Sequence, residues 1–293
     1  MITNEPTTQQ TPLPTEPAGL SELADTGVRP VAQNANEPWL QLLTGIFTWF
    51  GSVLLLVFVP AIIALPYAIY RWRTTGLPNI EAITTDKTFI FLSIVGILPT
   101  HLLTLGLVWL VVTRGGKYPF WQTIGFQWPR FMNPAVATVM CVAVAVLLLV
   151  IGFAVTYFWG GSKTQLDLLV ESSIPARFAT AFVAVFTAPL VEEIVYRGVL
   201  YSGIERAFGT IHRTLGIAVA FGVVSLLFAG VHVFQYIDNV AVITVITLLS
   251  FTLTAARAYT GSVLPSFIIH LVFNGIQSVV IALSPFVGWS GSS

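Results

Sequence analysis

The stretch Phe178-Ala-Thr-Ala-Phe-Val-Ala-Val-Phe-Thr-Ala-Pro-Leu-Val-Glu192-Glu193-Ile-Val-Tyr-Arg197 decides how this chain is read. It is long and apolar enough for a membrane helix, which needs about 20 mostly apolar residues. Yet it carries two adjacent acids. A carboxylate at bilayer depth costs roughly 2.5–3.5 kcal/mol on insertion scales, and two neighbouring ones also repel each other. Packing alone favours no such arrangement, so the pair marks a functional site inside a membrane.

The surrounding chain fits that setting. Its 293 residues are 55% hydrophobic and 9% charged, with a mean hydropathy of +0.84, whereas a soluble domain carries roughly 25% charged residues. The apolar runs predict seven membrane helices, at 43–70, 89–113, 133–159, 177–200, 214–235, 239–258 and 262–284. No strand pattern separates them, so the expected fold is an all-α polytopic transmembrane bundle. Pro60 and Pro66 are expected to kink the first helix or end it early. Residues 1–38, rich in Thr, Pro, Gln, Asn and Glu, cannot bury enough apolar area to order themselves. They read as a disordered polar tail, without the basic start and early apolar core of a signal peptide. Residues 39–293 then form the membrane domain. Zero net charge gives no reason to expect a nucleic-acid partner. The single cysteine, Cys141, excludes an intrachain disulfide and reads as a small packing residue. The connection from Arg114 to Phe131 mixes Trp, Tyr and Phe with Lys and Arg, the composition of a membrane–water interface. A short surface-lying segment is expected there, with substrate docking as its alternative role.

Residues four apart share a helix face. Glu193 and Arg197 are such a pair, and their contact would neutralise one carboxylate in low dielectric. Glu192 points about 100° away and is left to act as a general base. Pro189, three residues earlier, weakens a backbone bond and can bend the helix, while Gly198 and Gly203 ease close helix approach. Phe228 and His232 share a face of the fifth helix, and His270 and Asn274 share a face of the seventh. Three helices can therefore aim Glu192, His232, His270 and Asn274 at one cavity. A carboxylate and two imidazoles are zinc-type ligands, which makes Glu192, His232 and His270 a candidate metal set. The same groups without metal can activate water and stabilise an oxyanion. Of the other polar residues, His101 reads as a hydrogen-bonded packing residue and His212 as solvated. Arg257 reads as an interfacial snorkelling residue, and Asp238 as the cap of the sixth helix.

Glu192-Glu193-x-x-x-Arg197, Phe228-x-x-x-His232 and His270-x-x-x-Asn274, in that order, resemble the CPBP family. These are the CAAX-prenyl-protease-2-like and bacteriocin-processing intramembrane proteases, also called the Abi family. Ala188-Pro189-Leu190, Tyr196-Arg197-Gly198 and Thr260-Gly261-Ser262 extend the likeness, which covers about 176–284. It implies a helical membrane fold around a conical cavity and an endopeptidase that cuts near the membrane surface. It implies that Glu192 activates water with His232, that His270 and Asn274 stabilise the oxyanion, that Glu193 pairs structurally with Arg197, and that Phe228 lines the cavity. The family is labelled metalloprotease, and a metal-free glutamate mechanism competes with that label. The partners it implies are membrane lipid and a peptide or protein, with a lipidated end as one option. Two other readings stand beside it. One is a membrane immunity or adaptor protein that binds a peptide in the same cavity. The other is a cation-coupled transporter, for which no half-to-half repeat is visible. The expected location is an integral, multi-pass position in a bacterial plasma membrane.

Overall fold

A computed structural model of the chain describes residues 37–76, 82, 86–160, 167, 170–171, 173–233, 236, 239–283 and 286. The tail expected at 1–38 lies outside the described residues up to position 36, and Pro38 already opens the first helix. The protein is a bundle of seven long apolar helices with no strand among the described residues. They are α1 (Pro38–Thr75), α2 (Lys87–Val112), α4 (Pro134–Trp159), α5 (Ile174–Gly209), α6 (Arg213–Val233), α7 (Val240–Thr260) and α8 (Leu264–Leu283). A single turn, α3 (Phe120–Thr123), lies between α2 and α4. By length and composition these seven helices make it an integral, multi-pass membrane protein.

Local chemistry sets most of the boundaries. Asp86, Asn133, Ser173 and Asn239 each accept a backbone N–H of the first turn of α2, α4, α5 and α7. The cap of α7 is therefore Asn239; Asp238, the expected cap, lies outside the described residues. Gly261 adopts φ +67 and ends α7, a left-handed position that glycine reaches at no steric cost. Proline behaves differently from expectation in α1, which continues through Pro60 and Pro66 to Thr75. The backbone of Pro60 packs so tightly on α2 that a Cβ on Gly96 would come within 2.8 Å of Pro60 Cα. Neighbouring helices hold a proline-containing membrane helix together in this way.

Helix α5 is the hub. Its first half packs against α2 and α8, and its second half against α1 and α6, while α4 and α7 complete the bundle around α8. The largest apolar core surrounds the second half of α5, with Val191, Ile194, Leu200 and Ile204 meeting Val108 of α2 and Val224 and Phe228 of α6. The aromatic connection after α2 is anchored as well as superficial. Trp121 is exposed, but Ile124 is sealed against Gly198, and Gly125 O accepts both Val263 N–H and Ser262 Oγ–H of the α7–α8 turn.

Candidate active site

Two π-helical stretches flank the acid pair in α5, at Val183–Thr187 and Ile194–Leu200. Each widens the helix by shifting backbone bonds from four residues to five, which leaves carbonyls without their usual partner. In the first stretch the register would ask Pro189 to donate to Ala184 O, because Ala188 N–H donates to Val183 O. Proline has no N–H. The Asn274 amide of α8 replaces it, donating from Nδ2 to Ala184 O at 3.0 Å. In the second stretch Arg257 of α7 donates from Nε to Arg197 O at 3.0 Å. Arg257 is 4% exposed, with its other contacts to Ser202 Oγ and the Tyr201 ring. The snorkelling expectation for Arg257 is therefore corrected: a freed carbonyl in the bundle interior draws the guanidinium inward.

The π geometry presents the two glutamates to different surroundings. Glu193 and Arg197 are both 0% exposed and meet at 2.9 Å. Arg197 is further held by Ser250 O, Ser250 Oγ and Thr254 Oγ1 of α7, and its guanidinium stacks on the Phe228 ring at 4.4 Å. His270 Nδ1 lies 2.9 Å from the same Oε1 of Glu193. Since a carboxylate accepts, Nδ1 carries a proton, and in the neutral imidazole Nε2 is the bare nitrogen. His270 Nε2 faces Glu192 Oε2 at 3.8 Å, and the Glu192 side chain is 26% exposed. His270 thus stands between the sealed glutamate and the accessible one.

His232 is placed differently from the pairing implied by resemblance. Its Nδ1 lies 2.8 Å from Phe228 O, so it too holds its proton on Nδ1 and presents Nε2. The ring touches Phe228 at 4.8 Å, and Phe228 meets His270 edge-on at 5.9 Å. His270, rather than His232, is the imidazole beside Glu192. Phe228 is 1% exposed and sits beneath the site, bridging Arg197, Tyr196 and both histidines, instead of lining open space. The structure brings Glu192, Glu193, Arg197, Phe228, His232 and His270 into one connected cluster. Asn274 joins it through the backbone of α5. The described residues contain no group of three or more His, Cys, Asp or Glu side chains able to hold a metal ion. Glu192, His232 and His270 do not fit a zinc site as arranged.

Ser250, Thr254 and Thr187 also belong to the site's surroundings, and sequence reading did not single them out. The only signal for the first two is a pair of small polar residues four apart in an apolar helix. His212, expected to be solvated, is exposed ahead of α6. A separate polar cavity lined by Gln41, Thr44, Ser202 and Arg206 lies further along α5, and none of the site residues borders it.

Neither the curated proteins nor the solved structures yield a match to the chain. Residues 174–276 do match a family model, described as Rce1-like, type II CAAX prenyl endopeptidase. That segment holds α5 to α8 almost entire, and with them both glutamates, Arg197, Phe228, His232, His270 and Asn274. Residues 174–276 are therefore similar to the Rce1-like family of type II CAAX prenyl endopeptidases, and that similarity, together with seven apolar helices, supports reading the chain as a CAAX-protease-like intramembrane endopeptidase.

Proposed function

We propose that the protein hydrolyses a peptide bond near the membrane surface of a protein or peptide with a lipidated or hydrophobic C-terminal end, by a glutamate-type mechanism. The observation that carries this is His270 held between Glu193 at 2.9 Å and Glu192 at 3.8 Å. Glu192 takes a proton from water, and the oxygen attacks the scissile carbonyl carbon. His232 Nε2 offers a second acceptor to orient that water. The proton on Glu192 can pass to His270 Nε2, because the carboxylate at Nδ1 steadies the imidazolium that results. A protonated His270 and the second amide hydrogen of Asn274 then donate to the oxyanion. When the C–N bond breaks, the proton returns to the leaving amine, and the new carboxyl group departs. The steps use these side chains alone, and the spacing of Glu192, His232 and His270 supports that reading over a zinc one. Membrane lipid is the medium through which the substrate arrives, and the bacterial plasma membrane is the setting we propose.

The test is proteomics of C-terminal and membrane-proximal peptides in cells carrying wild type, Glu192→Gln or no protein. Termini that appear with wild type alone support the reading and name the substrate. If wild type and Glu192→Gln give the same new termini, Glu192 is not the base. If neither differs from the null in termini while both protect or retain a peptide, the cavity works by binding and the immunity or adaptor reading takes over.

A further inference from the structure

Three histidines of the membrane helices, His101, His232 and His270, share one arrangement. Each has a protein oxygen within 2.9 Å of Nδ1: Thr187 Oγ1 for His101, Phe228 O for His232 and Glu193 Oε1 for His270. For His101 the direction follows from the hydroxyl. Thr187 Oγ1 donates its hydrogen to Val183 O at 3.2 Å, so it accepts from His101 Nδ1–H at 2.8 Å. In that tautomer His101 Nε2 is the bare acceptor. His101 is 7% exposed, in the middle of α2, yet its Nε2 is not among the sealed side-chain atoms that lack a hydrogen bond. The residue it grips, Thr187, closes the first π stretch one and a half turns before Glu192. Because His101 Nε2 has no hydrogen bond among the described residues and is not sealed, it opens onto the space beside this turn. His101 lies outside the family-matched residues 174–276 and outside every motif that marks the site.

We propose that His101 is a third imidazole of the active site. Its Nδ1–H pins the π turn that presents Glu192, and its Nε2 accepts a hydrogen bond from a donor bound beside the Glu192 carboxylate. Two such donors exist in the reaction. One is the second hydrogen of the attacking water, and the other is a backbone N–H of the substrate. Both need an acceptor in a site whose nearby groups are a carboxylate and bare imidazole nitrogens. A packing role alone would need only the Thr187 contact. This inference rests on Glu192 being the general base.

Two near-isosteric variants separate the two ends of the ring. Asn places an amide N–H where Nδ1–H stood and has nothing at Nε2. Gln places an amide oxygen near the Nε2 position and gives up the Thr187 contact. The full chain is purified, and cleavage of a farnesylated CAAX peptide is followed together with thermal unfolding. His101→Asn is expected to unfold at the wild-type temperature but lose at least tenfold in kcat/KM, and His101→Gln to recover part of that loss. Wild-type cleavage by His101→Asn overturns the proposal. So does a loss of activity in His101→Asn matched by a fall in unfolding temperature and not relieved in His101→Gln. Glu192→Gln is run alongside. If it cleaves normally, the general-base reading fails first, whereas an inactive Glu192→Gln beside an unimpaired His101→Asn sinks His101 alone. A second measurement needs no substrate. In ¹⁵N spectra of histidine-labelled protein in lipid bilayers, His101 Nε2 is expected to show the unprotonated signature and to shift on Glu192→Gln. A protonated Nε2, or no shift, overturns the proposal even where the farnesylated peptide is not cut.

Discussion

The two glutamates are neighbours in sequence and opposites in environment, so substitution should separate chemistry from architecture. Glu193 neutralises Arg197 and orients His270 with one oxygen, at 2.9 Å to each. Removing one partner of a buried ion pair leaves the other charge uncompensated, at a cost of about 3–5 kcal/mol. Glu193→Gln is therefore expected to lower the unfolding temperature and abolish cleavage together. Glu192, at 26% side-chain exposure, has no such structural duty. Glu192→Gln is expected to abolish cleavage and leave the unfolding temperature within a degree or two, a contrast that thermal unfolding of the purified variants would read directly. An equal loss of stability in both would mean that Glu192 also holds the bundle together. The contact between Glu193 and Arg197 was legible from their i,i+4 spacing. The identity of the imidazole beside Glu192 was not. Spacing ranks residues along one helix, but the approach of α8 to α5 depends on the π stretches and on Pro189, and no periodicity announces those.

At the scale of the elements, side chains complete what the backbone of α5 gives up. Asn274 stands in for the missing N–H of Pro189 at Ala184 O. Leaving a buried acceptor unpaired costs about 1–3 kcal/mol, so Asn274→Leu should destabilise the protein by that amount as well as slow cleavage. Pro189→Ala supplies a backbone N–H for Ala184 O and should offset part of the stability loss when combined with Asn274→Leu; strictly additive unfolding energies would refute the substitution of one donor for the other. Close approach of α1 to α5 depends on Gly203, where an added Cβ would stand 2.7 Å from the Gln41 carbonyl oxygen. Backbone cannot swing aside as a side chain can, and overpacking of this kind costs about 1–3 kcal/mol. Gly203→Ala should show that loss in thermal unfolding, and the Glu192 cluster, ten or so residues away, should keep its activity per folded molecule. The start of α2 offers a pH handle outside the membrane spans. Burial alone would raise the Asp86 carboxyl, but Phe89 N–H, the Tyr67 hydroxyl, Thr88 N–H and Arg71 outweigh it and hold the group below its ordinary value of 3.8. A depressed folded value means that the stabilisation is complete above the unfolded value and is lost as pH falls through the folded one. The gap in unfolding temperature between wild type and Asp86→Asn should be constant above about pH 5 and close below pH 3.8. A gap that widens on acidification would reverse the sign assigned to Asp86. Helix number and order were readable from apolar run length. The persistence of α1 through Pro60 and Pro66 was not, because it depends on Gly96 of another helix.

For the molecule as a whole, the bundle wraps a polar cluster whose charges nearly cancel. Arg197 balances Glu193, small hydroxyls of α7 accept from one guanidinium nitrogen, and in the proposed mechanism the proton moves between Glu192 and His270. Composition announced a membrane protein, and three spaced motifs announced a site. The packing of α1 and α2 around α5 was invisible, since their residues carry only general apolar character. That packing brings His101 to the cluster, so about a third of the chain ahead of the family-matched segment contributes to the site's surroundings. The same global arrangement bears on metal dependence. A zinc ion needs three or more ligands at about 2.0–2.2 Å. His270 and Glu192 form a pair at 3.8 Å, but His232 is tied to its own helix through Phe228 O and packed on the Phe228 ring. Turning its Nε2 toward that pair would give up the Phe228 O contact and the packing on the Phe228 ring. Purified wild type is therefore expected to cleave at the same rate before and after exhaustive chelation, and to contain well under one zinc per chain by elemental analysis. Loss of activity on chelation, restored by zinc and accompanied by stoichiometric metal, would overturn that expectation and make His232 a ligand instead of an acceptor for water.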